Sequence, residues 1–216
     1  MIGFIGGTGN QGRALALRLS AFGEEVILGS RSMEKAEITV SKIKKEKKGL
    51  KIKPGTNEEA ARKAEIVFVT LPYGGMKEAL MPLALHLRGK IVVDVTNPFT
   101  NGDVHDMSFN RDRGISASEE LQALLSESRV VCAFKNVSSN IISHIDEEVE
   151  AASIVCSDFK DAKQRIIRLS EKIEIPSVDG GGLENALLCE LLTRFLLQLN
   201  KRYKTETGIK IVYHRV

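Results

Sequence analysis

The sequence predicts an α/β fold: a doubly wound, mostly parallel sheet followed by a small, mainly helical C-terminal lobe. Three observations predict it. A glycine-rich turn joins a short apolar strand to a helix at the start of the chain; the continuous apolar runs "EIVFVTL" and "KIVVDV" are of the kind buried on both faces of a parallel sheet; and helical stretches alternate with them. At 216 residues the chain has room for a domain of about 150 residues and a smaller appendage. The expected division is 1–150 for the sheet domain and 151–216 for the lobe, whose two short strands and two helices would pack on the cleft or on a dimer interface.

Ile2 to Ile5 is an apolar strand stopped by Gly6-Gly7, and Gly12 to Phe22 is dense enough in Ala14, Leu15, Leu17 and Leu19 for a buried helix, which Gly23 ends. Glu25 to Leu28 is the second strand. A charged helix over Met33 to Glu46, a basic loop and Lys51-Ile52-Lys53 lead to a short helix over Asn57 to Lys63. Glu65 to Leu71 is a buried strand, "PYGG" turns the chain into a helix over Met76 to Leu87, and Lys90 to Val95 is a strand closed by the loop "TNPFTNGD". Asn101 to Gly114 is polar and irregular, after which Ser116 or Ser118 caps a helix running through Leu125. Arg129 to Phe134 is a further strand with the loop "KNVSSN" at its end. Ala152 to Cys156 and Ser177-Val178 are two short strands flanking a helix over Asp158 to Lys172. Leu183 to Tyr203 is apolar over more than one stripe, either a buried core helix or one that also covers the cleft or meets a second subunit.

Composition narrows the function classes. A formal net charge of +3, from 31 Lys and Arg against 28 Asp and Glu, is too balanced to imply a nucleic-acid partner. The basic run from Lys42 to Lys53 has no aromatic residue interleaved for base stacking, which suits a solvated helix end and loop. Cys132, Cys156 and Cys189 are odd in number and widely spaced, a pattern of reduced thiols rather than of a disulfide framework or a metal site. No apolar run approaches the ~18 residues of a membrane span, and a strand beginning near Met1 leaves no room for a leader, so a cytoplasmic protein without a membrane partner is expected.

Gly7, Gly9 and Gly12 sit where a dinucleotide needs them, between strand and helix. One glycine permits the tight turn, another lets backbone approach the pyrophosphate, and the third lets helix and strand pack closely. Thr8, Asn10 and Gln11 line that contact at the helix N-terminus, where unsatisfied N–H groups favour negative charge. This is a Rossmann-type arrangement, and the end of its second strand decides the cofactor. A carboxylate there, about 20 residues beyond the motif, would select NAD. The chain instead reads Gly29-Ser30-Arg31 with Lys35 in the next helical turn. Ser30 can donate to a 2′-phosphate, Arg31 can pair with it and Lys35 can add a point charge, which predicts NADP(H); the competing reading is that Arg31 and Lys35 are ordinary surface charges.

The nicotinamide is expected over the carboxyl ends of the middle strands. Leu71, Pro72 and Tyr73, then Thr96, Asn97 and Pro98, and then Val137, Ser138 and Ser139 are its nearest candidates. Tyr73 either stacks or covers its loop. No Ser-His-Asp arrangement, HExxH or cluster of metal ligands is present, so no catalytic or metal-binding residue is expected; His86, His105, His144 and His214 stand alone, with His144 nearest the site. Reducing a carbonyl usually calls for a proton donor, whereas passing hydride between two redox carriers need not.

The stretches "GGTGNQGRALALRLSAFGEEVILGSRSMEKA", "VTLPY", "KIVVDVTNPF", "SASEELQALL", "VVCAF" and "VDGGGLENALLCELLT" together resemble the coenzyme F420-dependent NADP oxidoreductases over nearly the whole chain. The resemblance implies a homodimer and hydride transfer between NADP(H) and a deazaflavin, F420, or a flavin-like carrier stacked on the nicotinamide. The family's deazaflavin users carry an "HTIPA"-like loop where this chain has Phe134-Lys135-Asn136-Val137-Ser138-Ser139, and Lys135 is open to three readings: contact with an anionic acceptor tail, contact with the cofactor, or a solvated loop lysine. Two alternatives stand beside the carrier reductase: a flavin-mediated ferric reductase, and an NADP(H)-binding sensor without activity.

Overall fold

The structure is a computed structural model that describes residues 1–99 and 114–214. His105 and all of the expected irregular stretch except Gly114 lie outside the described residues. Six parallel strands form the main sheet: β1 (Ile2–Ile5), β2 (Val26–Ser30), β3 (Ile52–Thr56), β4 (Ile66–Val69), β5 (Ile91–Asp94) and β6 (Arg129–Cys132), in the order β3-β2-β1-β4-β5-β6. The order reverses between β1 and β4, which opens a crevice at the carboxyl ends of these two strands.

Alternation along the strands sends side chains to two cores, one on each face. Phe4 and Phe68 stack at 5.0 Å on one face, with Phe134 beside Phe68 at 6.0 Å. Leu15 and Leu19 of α1 (Asn10–Ala21) and Val40 of α2 (Met33–Glu46) belong to that core. Ile5, Val67 and Val69 face the other core, with Leu80 of α4 (Met76–Leu80), Leu87 of α5 (Ala84–Leu87) and Leu121 of α6 (Ala117–Leu124). Between β3 and β4 lies α3 (Asn57–Lys63), whose start is a capping box: Thr56 accepts from Glu59 N–H, and the Glu59 carboxylate accepts from Thr56 N–H.

After β6 come α7 (Ser139–Ser143), β7 (Ser153–Val155), α8 (Lys160–Lys172), β8 (Ser177–Asp179) and the long helix α9 (Ala186–Tyr203). β7 and β8 pair in parallel, and Cys156 bridges antiparallel to Cys132, so the small sheet joins the β6 edge of the large one. Val155, Ile166 and Ile173 share the core of Phe4 and Phe68, which welds this part of the chain to the main sheet.

Three local differences from the expected elements have physical causes. Pro82 has no N–H to continue a helix, so the stretch expected as one helix over Met76 to Leu87 is α4 and α5 with a 3₁₀ turn, Met81–Leu83, between them. Lys51-Ile52-Lys53 opens a full strand, β3, in which Pro54 is tolerated because β3 is an edge. The end of the "KNVSSN" loop begins α7, with the Ser138 hydroxyl accepting from Asn140 N–H.

Candidate functional site

The glycine turn packs as tightly as its expected role requires. A Cβ on Gly12 would stand 2.8 Å from Gly7 Cα and 2.8 Å from Thr70 Oγ1, so only glycine lets α1 approach β1 and β4 this closely. Gly9 is different. Its missing side chain faces open space, the nearest atom being Gly6 O at 4.0 Å, and it caps α1 with no side-chain acceptor for the first helical N–H groups. An uncapped helix start beside an open, side-chain-free surface is the cradle a pyrophosphate fills, so the residues present fit the phosphates of a dinucleotide. Thr8 and Asn10 border this surface, Thr8 half-buried and Asn10 exposed. The Gln11 amide turns inward and donates to Phe134 O (3.1 Å) and Val137 O (3.3 Å).

One residue that fixes the turn escaped the sequence reading. Asn57, buried at the start of α3, accepts from Gly6 N–H through Oδ1 at 3.0 Å, a contact across 51 residues. Gly6 itself has a left-handed φ of 77°.

Ser30 closes β2 and is buried; its Oγ accepts from Ser32 N–H at 3.2 Å. Arg31 and Lys35 are exposed, and neither forms an ion pair among the described residues. Ser32 caps α2 by accepting from Lys35 N–H, so the positive end of that helix dipole lies beside the two cations.

Three loops converge beyond β4, β5 and β6. After β4, Leu71 and Pro72 lead to Tyr73, whose hydroxyl donates to Glu120 of α6 at 2.5 Å, so the ring is tethered to the other wall. After β5, Thr96 donates through Oγ1 to Leu71 O at 3.4 Å, and Asn97 donates through Nδ2 to Lys135 O at 3.3 Å. Among the described residues Asn97 Oδ1 is buried without a partner, and Pro98 is buried beside it. An orphaned acceptor at the expected nicotinamide position suits a carboxamide N–H₂. After β6, Val137 is buried and Ser139 opens α7.

Lys135 is not a solvated loop lysine. It is 4% exposed, and its ammonium lies 2.8 Å from Asp94 Oδ2 and 2.6 Å from Glu190 Oε1. Asp94 ends β5, accepts from Thr96 N–H (2.9 Å) and Ser118 Oγ (2.6 Å), and is fully buried. Glu190 reaches in from α9 and accepts from Ala117 N–H at the start of α6. Burial works to lower the Lys135 pKa, but Asp94 and then Glu190 outweigh it and hold the ammonium above its ordinary range. Burial raises the Glu190 carboxyl to about 7 against the opposing pull of Lys135. Cys132, Cys156 and Cys189 lie buried and unbridged nearby, with Cys156 Sγ and Cys189 Sγ 3.8 Å apart. Among the described residues no group of three His, Cys, Asp or Glu side chains is placed to hold a metal ion, and no helix is long and apolar enough to cross a membrane.

The strand order, the open glycine turn and the crevice at the switch point define a dinucleotide-binding α/β protein. The family model described as NADP oxidoreductase, coenzyme F420-dependent, matches residues 1–98. The F420-dependent NADP reductase of Methanothermobacter marburgensis is 37% identical over 97% of this chain and 97% of its own length. The chain belongs to the coenzyme F420-dependent NADP oxidoreductase family. A more distant relative, metalloreductase STEAP3 of Rattus norvegicus, is 26% identical over 88% of this chain, which spans 36% of that protein. The crystal structure of a protein from Arthrobacter sp. FB24 overlays with a TM-score of 0.84 at 23% identity, covering 98% of this chain and 99% of that one, and shows the fold.

Proposed function

We propose that this chain exchanges hydride between NADP(H) and the deazaflavin coenzyme F420. The observation that carries the reading is the end-to-end match to F420-dependent NADP reductases at 37% identity. The geometry supports the same cofactor: the open surface at Gly9 takes the pyrophosphate, Arg31 and Lys35 take the 2′-phosphate, and Asn97 takes the carboxamide. When bound, NADPH would supply the hydride and leave as NADP+, and a deazaflavin would take that hydride up with a proton from solvent. The chain's own residues align the two rings and fix their spacing, since transfer between two carriers rests on proximity and orientation.

Anaerobic mixing of the purified chain with NADPH and deazaflavin tests this, and loss of the oxidised deazaflavin absorbance is expected. Turnover with FMN or FAD but not with deazaflavin would replace the reading by the flavin-mediated one, which the metalloreductase likeness favours. Tight NADPH binding without turnover on any carrier would leave a sensor.

We further assign the outer face of α9 to a second copy of the chain. Leu188 (62% exposed), Leu191 and Phe195 (54% exposed) fall at i, i+3 and i+7, forming one outward stripe, while Cys189, Glu190, Thr193 and Leu196 face inward. Sedimentation velocity should show a homodimer that F195D weakens; a monomer at micromolar concentration removes the assignment. Unbridged buried thiols suit the reducing cytoplasm as its place of action.

A further inference from the structure

The turn that follows β6 is strained and held from every side. Phe134 has a φ of 57°, a left-handed conformation that costs a non-glycine residue on the order of 1 kcal/mol or more and persists only where its surroundings over-determine it. Gln11 donates to the carbonyls of Phe134 and Val137. The Lys135 carbonyl accepts from Asn97 Nδ2 and from Thr193 Oγ1 (3.1 Å), and Asn136 donates to Ala152 O and accepts from Ile154 N–H. Beneath these contacts the Lys135 ammonium enters a buried cluster with Asp94 and Glu190. Asp94 sets the adjacent loop directly, through Thr96 N–H, and Glu190 joins both loops to α9 and to the start of α6.

We propose that Lys135, Asp94 and Glu190 are positioning residues for the acceptor side of the site: the cluster fixes the spacing between the loop after β5 and the loop after β6, and so the seat of the ring that receives or gives the hydride. The inference rests on the carrier-reductase reading for the identity of that ring. Its chemistry is a matter of fit. One ammonium lies between two carboxylates, Ser118 Oγ and the N–H groups of Thr96 and Ala117 donate to the carboxylates, and Cys132 Sγ lies near. Every donor therefore has an acceptor, and any loss shifts a loop rather than merely exposing a charge. The adenosine end of the cofactor, seated at Ser30, Arg31 and Lys35, shares no residue with the cluster.

K135M leaves two buried carboxylates facing each other without a cation, whereas K135M/E190Q removes one of those charges. Steady-state kinetics with NADPH and deazaflavin, and NADPH binding by fluorescence, separate positioning from folding. The expected result is a kcat lower by about 100-fold in K135M and about tenfold in E190Q, with the NADPH Kd within about twofold of wild type and kcat partly restored in K135M/E190Q over K135M. An unchanged kcat in the folded variants, or a Kd that loosens in step with kcat, overturns the proposal. Should the wild type fail to turn over deazaflavin, the carrier reading falls and amide exchange decides this one. Exchange at residues 96–98 and 134–139 should then be about tenfold faster in K135M than in wild type with NADPH bound, and equal rates would overturn it.

Discussion

Replacing Arg31 by Ala should reduce the proposed preference for NADPH over NADH without abolishing it, and the size of the effect can be worked from elementary electrostatics. A guanidinium about 4 Å from one phosphate charge gains roughly 4 kcal/mol at an effective dielectric near 20. Arg31 is exposed, so solvent screening and the entropy of holding the side chain remove much of this, leaving about 1.4–2.8 kcal/mol, or roughly 10- to 100-fold in Kd. Among the described residues Arg31 has no ion pair to break first, so none of that gain is spent there on separating it from a carboxylate. Lys35 and the Ser32-capped start of α2 remain in R31A and retain part of the preference.

The assay is a fluorescence titration of wild type and R31A with NADPH and with NADH at two ionic strengths. NADPH binding should weaken by the stated factor while NADH binding stays within about twofold, and the salt dependence of NADPH binding should flatten in R31A. Equal losses for both nucleotides, or none for either, would refute the assignment of Arg31 to the 2′-phosphate.

Two further outcomes follow from buried groups. Arg18 is fully buried and donates to Ile173 O at 2.6 Å and, at 3.4 Å, to Ile142 O, His144 O and Glu174 O. R18M should therefore cost about 3 kcal/mol in urea denaturation and lower Tm by about 10 °C, and a loss below about 1 kcal/mol would contradict it. The Glu190 carboxyl, raised from 4.5 to about 7, binds a proton in the folded chain that the unfolded chain has already released. Its contribution is present below the unfolded value and is lost as pH rises through about 7, so the stability of wild type minus that of E190Q should fall by on the order of 3 kcal/mol between about pH 4.5 and pH 7. A flat difference would rule out the raised carboxyl.

What the sequence made legible is local, and what it hid is distant. The strand, turn and helix around Gly7, Gly9 and Gly12 could be read because they lie within one short stretch, and the end of β2 because it can be counted from that turn. Pro82 was equally visible and should have divided its helix, since a proline there denies the preceding turn a donor. Lys135 could not be placed from its neighbours, because what decides its burial is Glu190, 55 residues further on. A signal did exist: Asp94 stands inside the apolar run "KIVVDV" and Glu190 inside "ALLCELLT", and an isolated carboxylate in a buried run requires a partner. Two such acids call for a buried cation, and Lys135, next to the strand "RVVCAF", was the residue at hand.

The placement of Gln11 and Arg18 joins these observations. They are seven residues apart on α1, two turns along one face, and both donate into the same segment: Gln11 to the carbonyls of Phe134 and Val137, Arg18 to those of Ile142 and His144. The helix that starts at the glycine turn thus carries the turn after β6 along its side, and displacing that turn means breaking bonds at both ends of one helix face. The loop after β4 joins the same assembly, through Thr96 donating to Leu71 O and through Tyr73 to α6, whose first residues donate to Glu190 and Asp94.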